Sequence, residues 1–440
     1  MTRKSLIIIM VAGAVLFFGI NAHAQRIRKR KIKKLFKHSL VVNDHFTGFA
    51  LYDMDAKKMI YERNDDKYFI PASNAKLFTF YTCLKMLGDS IPALRYTVRH
   101  DSLIFWGTGD PSFLHSALKG INGFNFLKNS DKKLFFSSGS YQNDFYGAGW
   151  AWDDYNEYYQ AEITELPIED NVAVLYADSG KLKITPSYLS SRLICDSNYK
   201  PAAFRVQRDF LSNSFVYPAL KIPADYRKEI PWKTSTQLTL ALLRDTLKKP
   251  VGEIHLPLSD SAKTIYNTNA DTVYRHMLQP SDNFMAEQLL LVCSAVKFKI
   301  LNADSVMAYS KAHYLNDLPD APQWVDGSGL SRQNLFTPRS IIALLCKISD
   351  ELKNDELLHS LMPAGGVAGT LKKVYKTDNG QPFIWAKTGS LSNNYNQSGY
   401  LVTRKGKRLA FSFMNNNFIR PDGEIRDEIV RIMTYIHDNY

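Results

Sequence analysis

The chain has 440 residues and a formal net charge of +12, which allows two or three domains and at first suggests a nucleic-acid or membrane-surface protein. The position of the charges excludes the nucleic-acid class. Arg3, Lys4 and eight Lys/Arg residues between Arg26 and Lys37 supply ten of the twelve charges, and the body from residue 39 onward carries only +2. So small a surplus lacks the clustered basic face that phosphate binding requires.

The first 24 residues predict a secretory signal peptide. A basic pair at residues 3 and 4 precedes an apolar run from Leu6 to Ile20, and Ala22-His23-Ala24 has the small residues of a cleavage site. We therefore expect cleavage after Ala24 and an exported, periplasmic protein. An uncleaved membrane anchor is the alternative, although the apolar run is shorter than the ~20 residues that span a bilayer.

Residues 25–42 are predicted to form a basic tail, because no acidic residue appears before Asp44. A solvated tail without a role is the simplest interpretation. A tether that contacts anionic lipid headgroups at the membrane periphery is the alternative.

The segment after the tail predicts a β-hairpin followed by a helix. Phe46 to Tyr52 and Met59 to Arg63 flank a polar turn at residues 55–58. A helix is expected from about Ser73 to Leu87, with apolar residues at helical spacing at Leu77, Phe80, Leu84 and Leu87.

The C-terminal segment predicts further strands and a closing helix. The strands are expected at Phe383 to Ala386, Ser398 to Arg404 and Arg408 to Met414, and the amphipathic helix at Glu424 to His437. Because sheet segments at both ends flank a helical middle, residues 43–93 and 269–440 are predicted to build one α/β (α+β) domain. Residues 94–268, with short alternating runs, are predicted to be an inserted β-rich accessory region.

Three short motifs occur in an order that indicates serine chemistry: Ser73 with Lys76, then Ser281-Asp282-Asn283, then Lys387-Thr388-Gly389. The first motif alone is weak, because other Ser-x-x-Lys pairs begin at residues 116, 130, 197 and 294. Taken singly, Ser73 could be an ordinary helix N-cap, and the other motifs a polar turn and a strand end. Their order and local context together favour a functional site.

Lys76 is the expected general base. A free serine hydroxyl is a poor nucleophile at neutral pH and needs a base beside it, and residues three apart on a helix share a face. Lys76 can act as a base only when neutral, so its pKa must fall well below the usual value of about 10.4. Burial and a second cation nearby lower a lysine pKa, and Lys387 is the expected second cation.

The second motif is expected to handle the proton and the substrate backbone. Ser281 and Asn283 are two apart at a bend after the helical stretch Asp271 to Leu278, so their side chains can point the same way. Ser281 would relay a proton between Lys76 and the leaving group. Asn283 would hold the substrate's backbone amide and orient Lys76.

The third motif is expected to bind substrate along a strand. Strand alternation puts Lys387 and Gly389 on the opposite face from Thr388 and Ser390. Gly389 would leave room for a substrate strand, and Thr388 with Ser390 would hydrogen-bond a terminal carboxylate. The backbone N–H groups of Ser73 and Ser390 would form an oxyanion hole.

These motifs resemble the D-alanyl-D-alanine carboxypeptidase/endopeptidase family of low-molecular-mass penicillin-binding proteins, typified by penicillin-binding protein 4. The resemblance covers nearly all of residues 43–438, with secondary matches at 107–111, 149–154, 326–334 and 365–371. It implies a penicillin-recognising serine transpeptidase/β-lactamase-like domain, in which an antiparallel sheet lies between helix layers and a β-rich insertion follows the helix that carries Ser73. Serine β-lactamases are similar in the three motifs but have no such insertion.

The resemblance also implies a function. It implies a serine-type D-Ala-D-Ala carboxypeptidase that acts on peptidoglycan stem peptides through an acyl-enzyme on Ser73 and binds β-lactams, without a metal or organic cofactor. Asp154 matches an acidic residue that in the family meets the substrate's diamino acid; a structural turn residue is the alternative. Ser392 departs from the family pattern, where a larger amide side chain is expected, so the recognition of peptide side chains stays open.

Other interpretations stay open as well. A serine β-lactamase or esterase would deacylate penicillin rapidly, and a non-catalytic peptidoglycan-binding or β-lactam-sensing module would not turn over at all. A binding module has no need for Ser73, Lys76, Ser281 and Lys387 together. Carboxypeptidase against endopeptidase preference and the oligomeric state are undecided. The cysteines, at 83, 195, 293 and 346, are expected to be buried free thiols, with a disulfide as the alternative.

Overall fold

The computed structural model describes residues 29–115, 117–118, 120–141, 144–377 and 380–440. The expected signal peptide, residues 1–24, lies outside the described residues. Within the described ranges, no helix is both long enough and apolar enough to cross a membrane.

The strands fall into two groups, at the ends of the chain and in its middle. In chain order they are β1 (Phe46–Asp53), β2 (Lys58–Arg63), β3 (Ser90–Arg99), β4 (Ser102–Gly107), β5 (Lys133–Ser137), β6 (Val172–Asp178), β7 (Lys181–Thr185), β8 (Leu193–Asp196), β9 (Gln207–Arg208), β10 (Phe215–Pro218), β11 (Arg227–Pro231), β12 (Val251–Ile254), β13 (Lys263–Asn269), β14 (Ile384–Leu391), β15 (Asn394–Val402) and β16 (Arg408–Asn416).

The helices are concentrated in the second half of the chain. In chain order they are α1 (29–37), α2 (Lys76–Met86), α3 (Asn122–Asn129), α4 (Thr236–Leu247), α5 (Ala270–Leu278), α6 (Asn283–Phe298), α7 (Ala303–His313), α8 (Pro338–Leu352), α9 (Asp355–Leu361) and α10 (Asp422–Asn439).

The two ends of the chain meet in one five-stranded sheet with the order β14-β15-β16-β1-β2. All of its neighbouring strands pair antiparallel, and β1 lies beside β16 with Phe46 opposite Asn416. The predicted hairpin and the predicted C-terminal strands are confirmed. The sheet therefore joins segments that are more than 300 residues apart in the chain.

Helices cover both faces of this sheet. Along β1 the side chains alternate, so that Ala50 packs in one apolar cluster while Phe49 and Leu51 pack in the other. The Ala50 face carries α2 and α5 to α9, and the opposite face carries α1 and α10. This arrangement of a sheet between helix layers confirms the predicted fold class.

The start of the described chain differs from the predicted solvated tail. Residues 29–37 form α1, and Ile32 and Phe36, four residues apart, are 2% and 1% exposed. The Phe36 ring lies 4.9 Å from Phe49 and 5.5 Å from Phe413 between ring centroids. The prediction of a solvated tail is wrong for this segment, because the apolar pair buries one face of the helix against the sheet.

The middle of the chain forms further sheets. One five-stranded sheet has the order β12-β5-β4-β3-β13, and two three-stranded sheets have the orders β11-β6-β7 and β8-β10-β9. The chain leaves the first domain through β3 and returns through β13, which pair antiparallel with Ser90 opposite Asn269. The β-rich character of the insertion is confirmed, and the division at residues 94 and 268 stays a prediction.

Two cysteines meet between helices. Cys83 on α2 and Cys293 on α6 are buried free thiols with their Sγ atoms 3.8 Å apart. Cys195, in contrast, is exposed and Cys346 is half-buried, so the expectation of a buried thiol does not hold for these two residues.

Candidate active site

Ser73 lies in a tight turn directly before α2. Residues Ala72–Ala75 form a 3-10 turn, and Ala72 has a positive φ of 47°, a conformation that non-glycine residues rarely adopt. The Ser73 side chain makes no helix-capping hydrogen bond. Instead, its Oγ accepts a hydrogen bond of 3.0 Å from Lys76 Nζ, so the N-cap alternative does not describe this residue.

Lys76 is completely buried and donates three hydrogen bonds. Besides Ser73 Oγ, its Nζ contacts Asn283 Oδ1 at 2.6 Å and the backbone oxygen of Ser328 at 2.7 Å. Burial lowers the Lys76 pKa from 10.5 to about 8, although the charges of Asp282, Asp326 and Glu287 act in the opposite direction. With this pKa, roughly one-tenth of the Lys76 amine is neutral at pH 7.

Helix α6 presents the second motif. Asp282 is the N-cap, because its Oδ1 accepts from the Met285 amide at 2.9 Å, and this makes Asn283 the first helical residue. Asn283 also donates through Nδ2 to the Tyr159 backbone oxygen at 3.0 Å. Ser281, before the cap, has a positive φ of 69°, so the bend holds its side chain away from the helix.

Lys387 is the second buried cation, on edge strand β14. Its Nζ donates to Ser281 Oγ at 2.8 Å and to the Thr388 backbone oxygen at 2.7 Å. Burial, followed by the charge of Lys76, lowers the Lys387 pKa well below its usual value. The expected pair of neighbouring lysines is present, but Ser281 is hydrogen-bonded to Lys387 and not to Lys76.

Gly389 faces the Ser73 turn. A Cβ atom at this position would lie 2.5 Å from the Pro71 backbone oxygen and 3.0 Å from the Ser73 nitrogen. The glycine thus lets β14 approach the Ser73 turn, whereas the sequence suggested space for a substrate strand. Thr388 Oγ1 donates to Thr370 Oγ1 at 2.7 Å, and Ser390 is exposed at the end of the motif.

Two buried carboxylates that the sequence analysis did not single out support Lys76. Glu287 on α6 accepts from the Gly327 and Ser328 amides at 3.0 and 2.7 Å, which fixes the chain directly before the peptide whose oxygen accepts from Lys76. Asp326 accepts from the Gly329 and Ser331 amides at 2.8 and 2.6 Å. Burial, and then the charge of Asp326, raises the Glu287 pKa to about 7. The matched 326–334 block was the only sequence signal for this loop.

The insertion reaches the same site through residues 149–159, a Trp-rich segment that contains Trp150 and Trp152. Trp150 Nε1 donates to Asp326 Oδ2 at 2.9 Å, and Tyr159 supplies the backbone oxygen that holds Asn283. Asp154 is half-buried, and burial, followed by the interaction with Asp154, raises the Tyr159 pKa. Asp154 is therefore linked to the site indirectly, through Tyr159, whose backbone oxygen binds Asn283.

The site is built without a metal-ligand cluster. In the described part of the chain, no group of three or more His, Cys, Asp and Glu residues is arranged to hold a metal ion. The polar groups that converge are hydroxyls, amides and two lysines, which suit proton transfer and acyl chemistry.

Known proteins share this sequence pattern and this fold. The model of the D-Ala-D-Ala carboxypeptidase 3 (S13) family matches residues 30–192 and 268–436. D-alanyl-D-alanine carboxypeptidase DacB of Haemophilus influenzae is 22% identical over 449 residues, which cover 89% of this chain and 90% of the relative.

Solved structures show the same fold over almost the whole length. The crystal structure of penicillin binding protein 4 from Haemophilus influenzae matches with a TM-score of 0.71 at 21% identity, covering 92% of this chain and 98% of that one. The penicillin G-acylated Bd3459 endopeptidase of Bdellovibrio bacteriovorus matches with a TM-score of 0.50 at 14% identity, covering 89% and 93%. Since the family model matches most of both ends of the chain, the protein belongs to the D-Ala-D-Ala carboxypeptidase 3 (S13) family and is a hydrolase of the carboxypeptidase class.

Proposed function

We propose that the protein removes the terminal D-Ala from peptidoglycan stem peptides through an acyl-enzyme on Ser73. The observation that carries this assignment is the 3.0 Å contact between Ser73 Oγ and the buried Lys76 amine. Asn283 and the Ser328 carbonyl hold the amine in line with the hydroxyl. A serine paired with a desolvated lysine is an activated nucleophile.

Acylation transfers the Ser73 hydroxyl proton and replaces the C–N bond of the substrate by a C–O bond to Ser73. Ser73 Oγ attacks the carbonyl carbon of the penultimate D-Ala, and neutral Lys76 takes the hydroxyl proton. The backbone N–H groups of Ser73 and Ser390 receive the developing oxyanion. When the C–N bond breaks, the leaving amine of D-Ala takes up the proton that Lys76 received, which we assign to transfer through Ser281, and Lys76 becomes neutral again. Water then attacks the ester, with Lys76 again as the base.

Substrate binding is assigned to the edge strand and to the Trp-rich segment. The hydroxyls of Thr388 and Ser390 bind the terminal carboxylate, and Gly389 keeps the strand against the Ser73 turn. The amide of Asn283 meets the backbone of the stem peptide. Asp154 meets a cationic amine of the diamino acid, since a half-buried carboxylate is the complement of an ammonium group.

Digestion of purified muropeptides tests the assignment, with products identified by mass. The wild-type protein is expected to release D-Ala, and Ser73→Ala to release none. Ser197→Ala is the matched control, because Ser197 begins another Ser-x-x-Lys pair but is exposed. Cleavage of cross-linked dimers would add endopeptidase activity, and product formation by Ser73→Ala would contradict the choice of nucleophile.

The reaction with benzylpenicillin distinguishes the proposed carboxypeptidase from a β-lactamase and from a sensing module. The proposal expects one covalent adduct per chain, absent in Ser73→Ala and released slowly, as seen by intact-mass spectrometry. Rapid release would indicate a β-lactamase, and an adduct without muropeptide turnover would indicate a sensing module.

We also propose that the protein is exported to the periplasm, because its substrate is the cell wall and its first residues have the signal-peptide pattern. N-terminal sequencing of the native protein is expected to begin at Gln25. A start at Met1 would support the membrane anchor instead.

A further inference from the structure

Helix α1 carries a concentrated positive charge on a rigid support. Ile32 and Phe36 point inward, and Phe36 packs on Phe49 and Tyr61 with ring centroids 4.9 and 5.3 Å apart. The loop after the helix is also fixed, since Asn43 Nδ2 donates to the backbone oxygens of Phe36 and Ser39. The helix is therefore part of the folded body.

The cations of α1 all point to solvent. Six basic side chains of α1 are exposed, and within the described ranges none of them forms an ion pair with a carboxylate. They are Lys29, Arg30, Lys31, Lys33, Lys34 and Lys37. From residue 39 onward the net charge is only +2. The positive potential of the described body is thus concentrated at this helix.

A cavity of about 610 Å³ lies between α1 and α10. Its lining combines the cations Lys31 and Lys34 with the less polar Leu40 and Tyr435. The carboxylate of Glu428 also faces it, but both of its oxygens accept from Arg431 at 2.7 Å. The lysines consequently keep their charge uncompensated.

One apolar side chain projects from the rim of this cavity. Leu40 lies shortly after the end of the basic helix and is 85% exposed. A basic helix beside an exposed leucine combines electrostatic attraction with apolar burial, which is the pattern of surfaces that dock on anionic bilayers.

The position of this surface relative to Ser73 suits such docking. The sheet separates α1 and α10 on one face from α2, α6 and α8 on the other. Because Ser73 precedes α2 and Asn283 begins α6, the catalytic residues lie on the far side of the sheet from the basic helix. A bilayer bound at α1 leaves the active-site side free for a polymeric substrate.

We propose that the face formed by α1, Leu40 and the adjoining end of α10 docks on an anionic phospholipid surface. Lipid phosphates contact Lys31, Lys34 and Lys37, and Leu40 enters the headgroup region. Attraction of this kind is screened by salt, so docking is reversible and strongest at low ionic strength.

Vesicle co-sedimentation of the mature chain tests this docking. We expect binding to phosphatidylcholine vesicles that contain phosphatidylglycerol, little binding to phosphatidylcholine alone, and loss of binding at high salt. The triple variant Lys31→Glu, Lys34→Glu, Lys37→Glu is expected to weaken binding by about 100-fold or more. Leu40→Ser is expected to weaken it less and to leave its salt dependence unchanged.

The matched control changes three exposed lysines of the insertion, Lys181, Lys183 and Lys221, to Glu. This variant has the same net charge as the α1 variant and is expected to bind vesicles as the wild type does. Both variants should form the benzylpenicillin adduct at the wild-type rate, which shows that they are folded.

Two results would overturn the proposal. Equal weakening by both triple variants would show a general charge effect with no docking face. Retention of the protein by soluble polyphosphate, without binding to the phosphatidylglycerol vesicles, would assign the patch to an anionic polymer in place of a lipid surface.

Discussion

At the scale of single residues, the chemistry of the site depends on how burial and charge compete at Lys76. Burial lowers its pKa to about 8, while three carboxylates, Asp282, Glu287 and Asp326, raise it. The neighbouring Lys387 is buried as well, and its own pKa is lowered further by the charge of Lys76. Two amines in one desolvated site hold protons less readily than either would alone.

The acylation rate is expected to rise with pH and to level off above pH 8 or so, because only neutral Lys76 can accept the Ser73 proton. Asp282→Asn keeps a good helix cap but removes a charge that stabilises protonated Lys76. The acidic limb should therefore move to lower pH. Second-order acylation by benzylpenicillin, measured against pH, checks this.

Asp304→Asn is the control for this prediction, since Asp304 is an exposed acid in the first turn of neighbouring α7. The acylation rate of Asp304→Asn should depend on pH as that of the wild type does.

A Lys76→Met variant that acylates within about tenfold of the wild-type rate, a loss of only ~1.4 kcal/mol of transition-state stabilisation, would show that Lys76 is not the base.

Gly389→Ala is expected to slow acylation by about 100-fold, because the new Cβ would meet the Pro71 oxygen at 2.5 Å and displace the strand from the Ser73 turn. Gly88→Ala is the control, since no atom lies within 4 Å of a Cβ there. Stopped-flow acylation of both variants gives the comparison. Equal rates would mean that the close approach of β14 has no catalytic consequence.

At the scale of elements, one loop connects the insertion to Lys76, the proposed base. Residues 326–334 are held by Glu287 from α6 and by Trp150 from the insertion. The same loop contributes the Ser328 oxygen that accepts from Lys76. The insertion is thus linked to Lys76 by a chain of hydrogen bonds that no single motif contains.

Trp150→Phe keeps the ring but removes the N–H that donates to Asp326. A lost hydrogen bond to a buried carboxylate costs about 1.5 kcal/mol or more, and we expect acylation to slow about fourfold if half of that loss falls on the transition state and about tenfold if nearly all of it does. Trp106→Phe is the matched control, because Trp106 Nε1 also donates at 2.9 Å, to the Leu256 oxygen, within the insertion.

Both tryptophan variants are expected to lose similar stability in urea unfolding, but only Trp150→Phe should lose acylation rate. If the two variants lose the same fraction of activity, the Trp150 contact is merely structural.

At the scale of the whole molecule, the first and last segments of the described chain bury their apolar side chains against each other. Strand β1 lies between β16 and β2, while α1 and α10 share the apolar cluster on one sheet face. Neither terminal segment can bury its apolar side chains alone. The N-terminal helix is therefore expected to contribute to global stability.

Phe36→Ala is expected to lower the free energy of unfolding by about 3–5 kcal/mol, the usual range for removing a buried phenylalanine side chain. Phe46→Ala is the control, because Phe46 is 66% exposed, and it should cost far less. Urea unfolding followed by circular dichroism measures both. Equal, small losses would mean that α1 does not pack in solution.

Local patterns in the sequence determined much of this protein. A regular spacing of apolar residues, or a group of turn residues, marks each local element within a few positions. This holds for the hairpin at 46–63, the helix that follows Ser73 and the strands around Lys387. The order of the three motifs identified the site residues as candidates, the short alternating runs of residues 94–268 predicted the β-rich insertion, and the resemblance indicated the family.

Tertiary structure alone decided how those residues act. The partner of Ser281 is Lys387, Gly389 faces the Ser73 turn, and Glu287 fixes the loop behind Lys76. These contacts join segments that lie tens to hundreds of residues apart, and periodicity carries no information about such pairs. The lowered pKa of Lys76 likewise follows from burial, which is a property of the assembled fold.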